Sequence, residues 1–239
     1  MGHHLATGSI AAVFMQNSGL GNAVNPLTSL AHPDIYGVPM LLIIGWRGEV
    51  TDAGQIKDEP QHVFQGRITP AMLDVLDVPY RIIGRDESRS DISEAALAML
   101  REAEHGKPAA LVVRKGTFDG KGVSEEPSNL PTREAAIAEA LRHLAGVPLV
   151  ATTGKIGREV YELQQADDIG GPSFLTVGGM GHAAMIAAGI ARNTDGKVAC
   201  FDGDGAVLMH TGSLGTSARC ANLIHLVFNN RVHDSVGGN

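Results

Sequence analysis

Cysteine is scarce in this sequence of 239 residues, which contains only Cys200 and Cys220. Two cysteines cannot form the framework of a disulfide-rich secreted protein, and residues 1–12 show no secretory signal. We therefore expect the chain to work in a reducing cytoplasm. No run approaches the ~18 apolar residues that a membrane-spanning helix needs, so a membrane protein is not expected.

Aromatic residues are also few, at 4% of the chain, and positive charge is in deficit. Lys and Arg number 19 against 26 Asp and Glu, which gives a net charge of −7. Proteins that bind nucleic acid through its phosphates carry an excess of positive charge, so we expect no nucleic-acid partner. A local group of cations that binds a small anion is still compatible with this composition.

Glycine, in contrast, is abundant, with 30 residues, and buried apolar runs alternate with segments of helical spacing. This alternation predicts an α/β fold of two domains, each with a mostly parallel sheet flanked by helices. We place the first domain at 1–118, a linker rich in Gly, Pro, Ser and charge at 119–131, and the second domain at 132–239. A long loop is predicted over 45–65 and a helix over 207–219.

The strongest candidate site combines two motifs, DGDG at 202–205 and NN at 229–230. Each motif follows a predicted strand, and a right-handed crossover places the two strand ends side by side. Open α/β sheets bind ligands at that edge. The carboxylate of Asp204 and the amide of Asn230 are hard oxygen ligands that suit Mg²⁺, and the glycines let backbone N–H groups face a phosphate.

A second glycine-rich turn, GGMGHAA at 178–184, also lies between a predicted strand and a helix. Read as GxGxxA from Gly179 to Ala184, it fits the dinucleotide-binding fingerprint, with Asp202 about 20 residues further on as the ribose-binding acid. The corresponding alternative is a dinucleotide-binding oxidoreductase. It leaves Asp204 and Asn230 without a role.

Several motifs of this chain resemble those of a known family. The DGDG and NN motifs are similar to the cofactor and metal motif of thiamine-diphosphate enzymes, and NSGLGN at 17–22 resembles the glycine-rich turn of their pyrimidine-binding domain. Seven blocks in order resemble the phosphonopyruvate decarboxylase family, with sulfopyruvate decarboxylases as near relatives: MQNSGLGNAVNPLTSL, LLIIGWRGE, DEPQH, LVVRKGTF, TVGGMGHA, DGDGAVLMH and NNRVHDSVGG.

The resemblance implies that the first domain binds the pyrimidine of thiamine diphosphate and that the second binds its diphosphate. Mg²⁺ would be held by Asp204, the side chain of Asn230 and the carbonyl of Val232. Met180 would be the apolar wedge that bends the cofactor. The remaining cofactor-binding positions implied by the family, which contribute through the backbone, are Gly178, Gly179, Gly205 and Ala206.

The resemblance also implies a substrate, 3-phosphonopyruvate, which is decarboxylated without oxidation to phosphonoacetaldehyde; sulfopyruvate is the alternative. Arg47 and Lys57 are candidates to bind the phosphonate or sulfonate, because such oxygens match a guanidinium in a bidentate way. His62 and His233 are candidates for proton transfer, because the pKa of histidine lies near neutrality. In the family the cofactor lies between subunits, so a homodimer or larger assembly is expected.

The sequence departs from the family pattern in one respect. The family's glutamate that hydrogen-bonds the aminopyrimidine belongs to a segment upstream of residues 2–8, and the first glutamate here is Glu49. The family's last strands, expected after residues 236–238, are also absent, so the chain looks truncated at both ends. A non-catalytic fragment that binds the cofactor therefore stays open, and we expect slow decarboxylation unless Glu49 or Glu59 takes the glutamate's role.

Overall fold

The structure is a computed structural model that describes residues 1–118, 129–167 and 169–231. The described residues form two compact units, one within 1–121 and the other within 122–239. Most of the predicted linker lies outside the described residues. None of the described helices is long and apolar enough to cross a membrane.

The first unit is built around a parallel sheet whose strand order is β1-β2-β6-β5. Strands β3 and β4 form a separate small antiparallel hairpin. The described elements of this unit are α1 Gly2–Thr7, β1 Ala11–Gln16, α2 Leu20–Thr28, β2 Met40–Gly45, β3 Val50–Thr51, β4 Gly54–Gln55, α3 Pro60–Val75, β5 Tyr80–Ile83, α4 Arg89–Glu104 and β6 Pro108–Val113. A short 3₁₀ turn at Asn17–Gly19 joins β1 to α2.

The central strands of this sheet are buried on both faces, which is why they read as continuous apolar runs. Leu42 and Ile44 of β2 pack with apolar residues of α2 and α3 on one face. Leu41 of β2 packs on the other face with Met99 and Ala103 of α4.

The second unit contains another parallel sheet, with the strand order β10-β9-β7-β8. Its described elements are α5 Arg133–His143, β7 Leu149–Ala151, α6 Lys155–Asp167, β8 Ser173–Leu175, α7 Ala183–Ala191, β9 Val198–Gly203, α8 Asp204–Met209, α9 Ser213–Ser217 and β10 Leu223–Phe228. Residues of α5 and α6 pack on one face of the sheet and the alanines of α7 on the other. The predicted α/β fold class is therefore confirmed.

Two predictions of secondary structure are wrong. Residues 45–65 are not one long loop, because they contain the hairpin of β3 and β4 and the first turns of α3. That helix begins at Pro60, a position where the missing N–H of proline breaks no hydrogen bond. The helix predicted over 207–219 is divided into α8 and α9 by a break beside Gly212, because glycine is a weak helix former.

Candidate functional site

The carboxyl ends of the four strands of the second sheet lie at one edge, because all four strands run parallel. The chain leaves β7 toward β8 on one side and then returns to β9, which lies on the other side of β7. The carboxyl ends of β7 and β9 therefore form a topological switch point, the place where α/β sheets characteristically bind ligands. Thr152 follows β7 at this point and Asp204 follows β9.

Asp204 begins α8 directly after β9, next to the end of β10. The register of these two strands places Gly203 opposite Phe228. The Asp204 carboxylate accepts a hydrogen bond from the backbone N–H of Gly205 at 2.9 Å and another from that of Arg231 at 3.0 Å. The DGDG and NN motifs therefore lie side by side, as the sequence predicts.

The oxygen atoms at this edge fit a magnesium ion. A carboxylate has about four lone-pair positions. The two backbone N–H groups occupy part of those of Asp204, and the remaining positions are available to a cation. Asn229 accepts a hydrogen bond from the N–H of Arg231 at 2.9 Å and shapes the turn, while Asn230 is exposed at the strand end. Carboxylate and amide oxygens are the ligands expected for Mg²⁺. The third predicted ligand, Val232, and the predicted proton-transfer residue His233 lie outside the described residues.

The glycine-rich turn at 178–181 lies against the first turns of α8. Gly181 has a φ of +85°, which favours glycine. A Cβ at this position would lie 3.1 Å from both the carbonyl oxygen of Ala206 and the Cβ of Met209. The rings of His182 and His210 stack beside this contact with centroids 4.4 Å apart. The second glycine motif and the DGDG motif therefore belong to the same edge of the sheet.

The other predicted cofactor-binding positions lie in the same turn. Gly178 donates its N–H to the hydroxyl of Thr153 at 3.4 Å, which links the turn to the end of β7. A Cβ at Gly179 would approach the methyl carbon of Thr176 to 2.9 Å, so the Thr176 side chain packs closely on this glycine. Met180 is half-buried. Their roles toward a cofactor stay predictions.

Two buried threonine hydroxyls at this edge were not singled out from the sequence. Thr152 Oγ1 and Thr176 Oγ1 have no hydrogen-bond partner among the residues that the structure describes. A buried polar atom without a partner is unfavourable, so these hydroxyls fit a site completed by a ligand. The signal in the sequence is the position of each threonine directly after a strand.

A separate polar cluster lies in the first unit, where the loop after β2 meets the start of α3. The Arg47 guanidinium forms a two-point ion pair with Asp58, with Nε 3.0 Å from Oδ2 and Nη2 in contact with Oδ1. His62 Nε2 lies 3.8 Å from Glu59 Oε2. Two of the predicted site residues, Arg47 and His62, therefore lie in one cluster. The third, Lys57, is exposed on the segment that precedes α3.

The electrostatics of this cluster favour a neutral imidazole at His62. Burial lowers the pKa of His62, and the positive charge of Arg47 lowers it further. His62 Nδ1 is buried, and the neighbouring Gln65 side chain opposes the lowering of the His62 pKa without reversing it. For Asp58, burial raises the pKa, but the hydrogen bond and charge of Arg47 outweigh it, so the net shift is downward. An imidazole held neutral and a guanidinium paired with a carboxylate thus share one cluster.

Asn17 and Glu49 position the loop that carries Arg47. The buried side chain of Asn17 donates to the Arg47 carbonyl and to Thr69 Oγ1, each at 3.0 Å, and accepts from the Arg47 N–H at 3.2 Å. Glu49 is 6% exposed and accepts a hydrogen bond from the N–H of Lys115 at 3.3 Å. Both contacts cross long separations in sequence, so sequence reasoning could not assign them.

The structure argues against the dinucleotide-binding alternative. That interpretation needs Asp202 to present its carboxylate to a ribose at the ligand edge. Asp202 is only 1% exposed, and its Oδ2 lies 3.3 Å from Nε2 of His225 on the neighbouring strand. It therefore faces the interior between β9 and β10.

Comparison with known proteins defines the class of the second unit. Residues 152–239 match the family model described as thiamine pyrophosphate enzyme, C-terminal TPP binding domain. The matched range includes the turn at 178–181 and the edge that carries Asp204 and Asn230. The second unit is therefore similar to the thiamine-pyrophosphate-binding domain of these enzymes.

Whole-chain relatives narrow this class. The chain is 37% identical to the phosphonopyruvate decarboxylase of Streptomyces viridochromogenes and 38% identical to that of Streptomyces hygroscopicus, in each case over 97% of this chain and 60% of the relative. It is 24% identical to the sulfopyruvate decarboxylase of Methanosarcina acetivorans over 99% of this chain and 64% of the relative. The resemblance to phosphonopyruvate decarboxylases is thus confirmed, and the chain is homologous to them. It spans about three fifths of the length of the relatives it matches.

Proposed function

We propose that this chain serves a non-oxidative decarboxylation of 3-phosphonopyruvate to phosphonoacetaldehyde that depends on thiamine diphosphate and Mg²⁺. The observation that carries the proposal is the hydrogen bond from the Arg231 N–H to Asp204, which brings two motifs suited to a metal together beside the glycine-rich turn. Thiamine diphosphate, when bound, supplies an electron sink for the electron pair left as carbon dioxide departs.

The second unit would hold the cofactor. Asp204 and Asn230 would bind Mg²⁺ with Val232, and the backbone N–H groups of Gly205 and Ala206 would face the diphosphate. The turn at Gly178 and Gly179 would bring backbone close to the cofactor, with Met180 as its apolar support. The unpaired hydroxyls at the ends of β7 and β8 support a ligand at this edge.

The first unit would recognise the anionic head of the substrate. A guanidinium has five N–H donors, and Asp58 occupies two of those of Arg47, so three are left for a phosphonate. His62, held neutral beside it, has a buried nitrogen that could accept or return a proton. Lys57 is exposed, and its positive charge would favour the approach of an anion.

Calorimetry with thiamine diphosphate tests the cofactor assignment. We expect binding in the presence of Mg²⁺ and none in EDTA, because the diphosphate needs the cation that Asp204 holds. Binding of NAD in its place, or cofactor binding that ignores EDTA, would contradict the proposal.

Sulfopyruvate is a second candidate substrate, which the 24% identical sulfopyruvate decarboxylase favours. Phosphonate and sulfonate differ only in the anionic head, so both would use Arg47. Aldehyde formation from each acid, compared as kcat/KM, distinguishes the two. Cofactor binding without turnover of either acid would instead support the non-catalytic alternative.

We also propose that the chain works in the cytoplasm as a homodimer or larger assembly. The support is the resemblance to enzymes whose cofactor lies between subunits. Sedimentation equilibrium measures the assembly directly, and a monomer that binds thiamine diphosphate with full affinity would contradict the proposal.

A further inference from the structure

Three potential metal ligands lie together between β9 and β10, away from the atoms assigned to Mg²⁺. Cys200 and Asp202 are two residues apart on β9 and so point to the same face of the sheet. His225 lies opposite Cys200 in the register of β10. One ligand atom from each residue, the thiol sulfur, a carboxylate oxygen and an imidazole nitrogen, lies within 4.8 Å of the other two.

The spacing of these atoms fits tetrahedral coordination. Asp202 Oδ2 and His225 Nε2 are 3.3 Å apart. Two ligands at ~2.0–2.1 Å from a tetrahedral zinc ion are separated by about 3.3–3.4 Å, so these two atoms need no adjustment. A sulfur ligand would stand about 3.5 Å from each of them, and the sulfur of Cys200 lies within 4.8 Å of both.

A second observation concerns the carboxylate of the same cluster. Asp202 is 1% exposed, and its Oδ1 has no hydrogen-bond partner among the residues described. A buried carboxylate oxygen without a partner is costly, and the single contact with His225 satisfies only Oδ2. The side chain of His225 is 15% exposed, so the cluster has a route to solvent.

We propose that Cys200, Asp202 and His225 form a binding site for a soft divalent metal ion of the zinc type, with a fourth position left to water. Burial and the charge of Asp202 raise the pKa of the Cys200 thiol, so the ion would have to displace its proton to solvent on binding. Thiolate and imidazole ligands then select Zn²⁺ over Mg²⁺, which prefers oxygen ligands only. The ion would bridge β9 to β10 just below the ends that carry Asp204 and Asn230. It would stabilise the alignment of those ends without contacting the cofactor.

Cobalt is the probe, because a thiolate bound to Co²⁺ gives a charge-transfer absorption band that oxygen ligands do not. The full chain is titrated with Co²⁺ in a large excess of Mg²⁺, which occupies the oxygen site at Asp204. We expect one equivalent of Co²⁺ to produce the band and Zn²⁺ to displace it, in line with the general order of metal affinities. Absence of the band from folded protein would overturn the proposal.

The two cysteines provide a matched pair of variants. Cys220 is also buried, but its sulfur contacts the carbonyl of Ala188 at 3.8 Å instead of a potential ligand. Cys200→Ser is expected to abolish the band, whereas Cys220→Ser leaves it unchanged. The reverse result, or a band that survives Cys200→Ser, would overturn the proposal.

The other two ligands are tested by His225→Gln and Asp202→Asn. Each should weaken Co²⁺ binding by more than the ~10–100-fold typical of residues that only support a ligand. Unchanged affinity in both would contradict a three-residue site.

A measurement on zinc-loaded Cys220→Ser protein covers the case in which the ligand variants fail to fold. X-ray absorption should then show sulfur at about 2.3 Å from zinc, and Cys200 is the only cysteine left to supply it. A shell of oxygen and nitrogen alone would overturn the proposal.

Discussion

The Asp204 carboxylate accepts two backbone hydrogen bonds and still has lone pairs directed to the ligand edge. We predict that Asp204→Ala weakens Mg²⁺-dependent binding of thiamine diphosphate by at least ~100-fold, since the loss of a direct ligand exceeds the ~10–100-fold effect of a supporting residue. Calorimetry measures the affinity. Asp195→Ala, at an exposed aspartate, is the control and should change nothing.

Asn17 makes three hydrogen bonds from a buried position, two of them to the backbone of Arg47. We predict that Asn17→Ala lowers the free energy of unfolding by ~1–3 kcal/mol, because buried donors and acceptors would be left unpaired. Urea denaturation measures the change. Asn193→Ala removes one exposed hydrogen bond to Gly189 and should stay within about 0.5 kcal/mol of the parent protein. Equal effects would show that Asn17 has no special role.

The lowered pKa of His62 makes stability depend on pH. As the pH falls below about 6.5, the unfolded chain binds a proton that the folded protein resists, so the free energy of unfolding falls until the pH passes the folded pKa. We predict that His62→Gln makes this decline less steep between pH 7 and pH 5, in denaturant unfolding at a series of pH values. Asp58 acts in a lower window, because its lowered pKa gives stability that is lost only below about pH 3.9.

The exposed His143, whose Nε2 lies 3.1 Å from Glu139 Oε1, provides the control. His143→Gln should leave the decline associated with His62 in place. A slope that responds to His143 and not to His62 would contradict the assignment of the pH dependence.

At the scale of elements, α3 packs directly on the loop that carries Arg47. A Cβ at Gly66 of α3 would lie 1.9 Å from the carbonyl oxygen of Gly48, and the Trp46 indole donates to the Gly66 carbonyl at 2.8 Å. We predict that Gly66→Ala destabilises the protein by about 3 kcal/mol or more, since the helix must move away from the loop.

Gly189 of α7 is the matched control for this substitution, because it is also a helical glycine and a Cβ there meets no atom within 4 Å. Gly189→Ala should stabilise the protein by up to about 1 kcal/mol through helix propensity. Thermal or denaturant unfolding of both variants measures the difference. Loss of stability of the same size in both would show that the close approach at Gly66 is unimportant.

The same elements show how far sequence reasoning reaches. Strands buried on both faces, such as β2 and β6, are predictable because their apolar runs are continuous. The proximity of DGDG and NN is predictable because the carboxyl ends of neighbouring parallel strands lie at the same edge of a sheet. The contact between Arg47 and Asp58 was not predictable, because it depends on the hairpin of β3 and β4. The cluster of Cys200, Asp202 and His225 required the register of β9 and β10, which no local pattern specifies.

At the scale of the whole molecule, the chain carries a net charge of −7, although both the proposed cofactor and the proposed substrate are anions. On the proposed function, binding would therefore depend on local positive groups, namely a divalent ion at the edge of the second sheet and Arg47 in the first unit. The proposed metal would then be a condition for cofactor binding, since the diphosphate would otherwise approach the carboxylate of Asp204 unscreened.

Because a ligand that binds only the folded state stabilises it, thiamine diphosphate with Mg²⁺ at about 100 times its dissociation constant should add ~2.7 kcal/mol to the free energy of unfolding. We predict that hydrogen exchange slows first at 178–182, 203–206 and 229–231, where the glycine-rich turn meets the ends of β9 and β10. The ends of α5, which packs on a face of the sheet, serve as the internal control, and their hydrogen-exchange rates should change less. In EDTA the cofactor should protect none of these segments. Equal protection with and without Mg²⁺ would contradict the proposed ion at Asp204 and Asn230, and protection confined to other segments would show that the cofactor binds elsewhere.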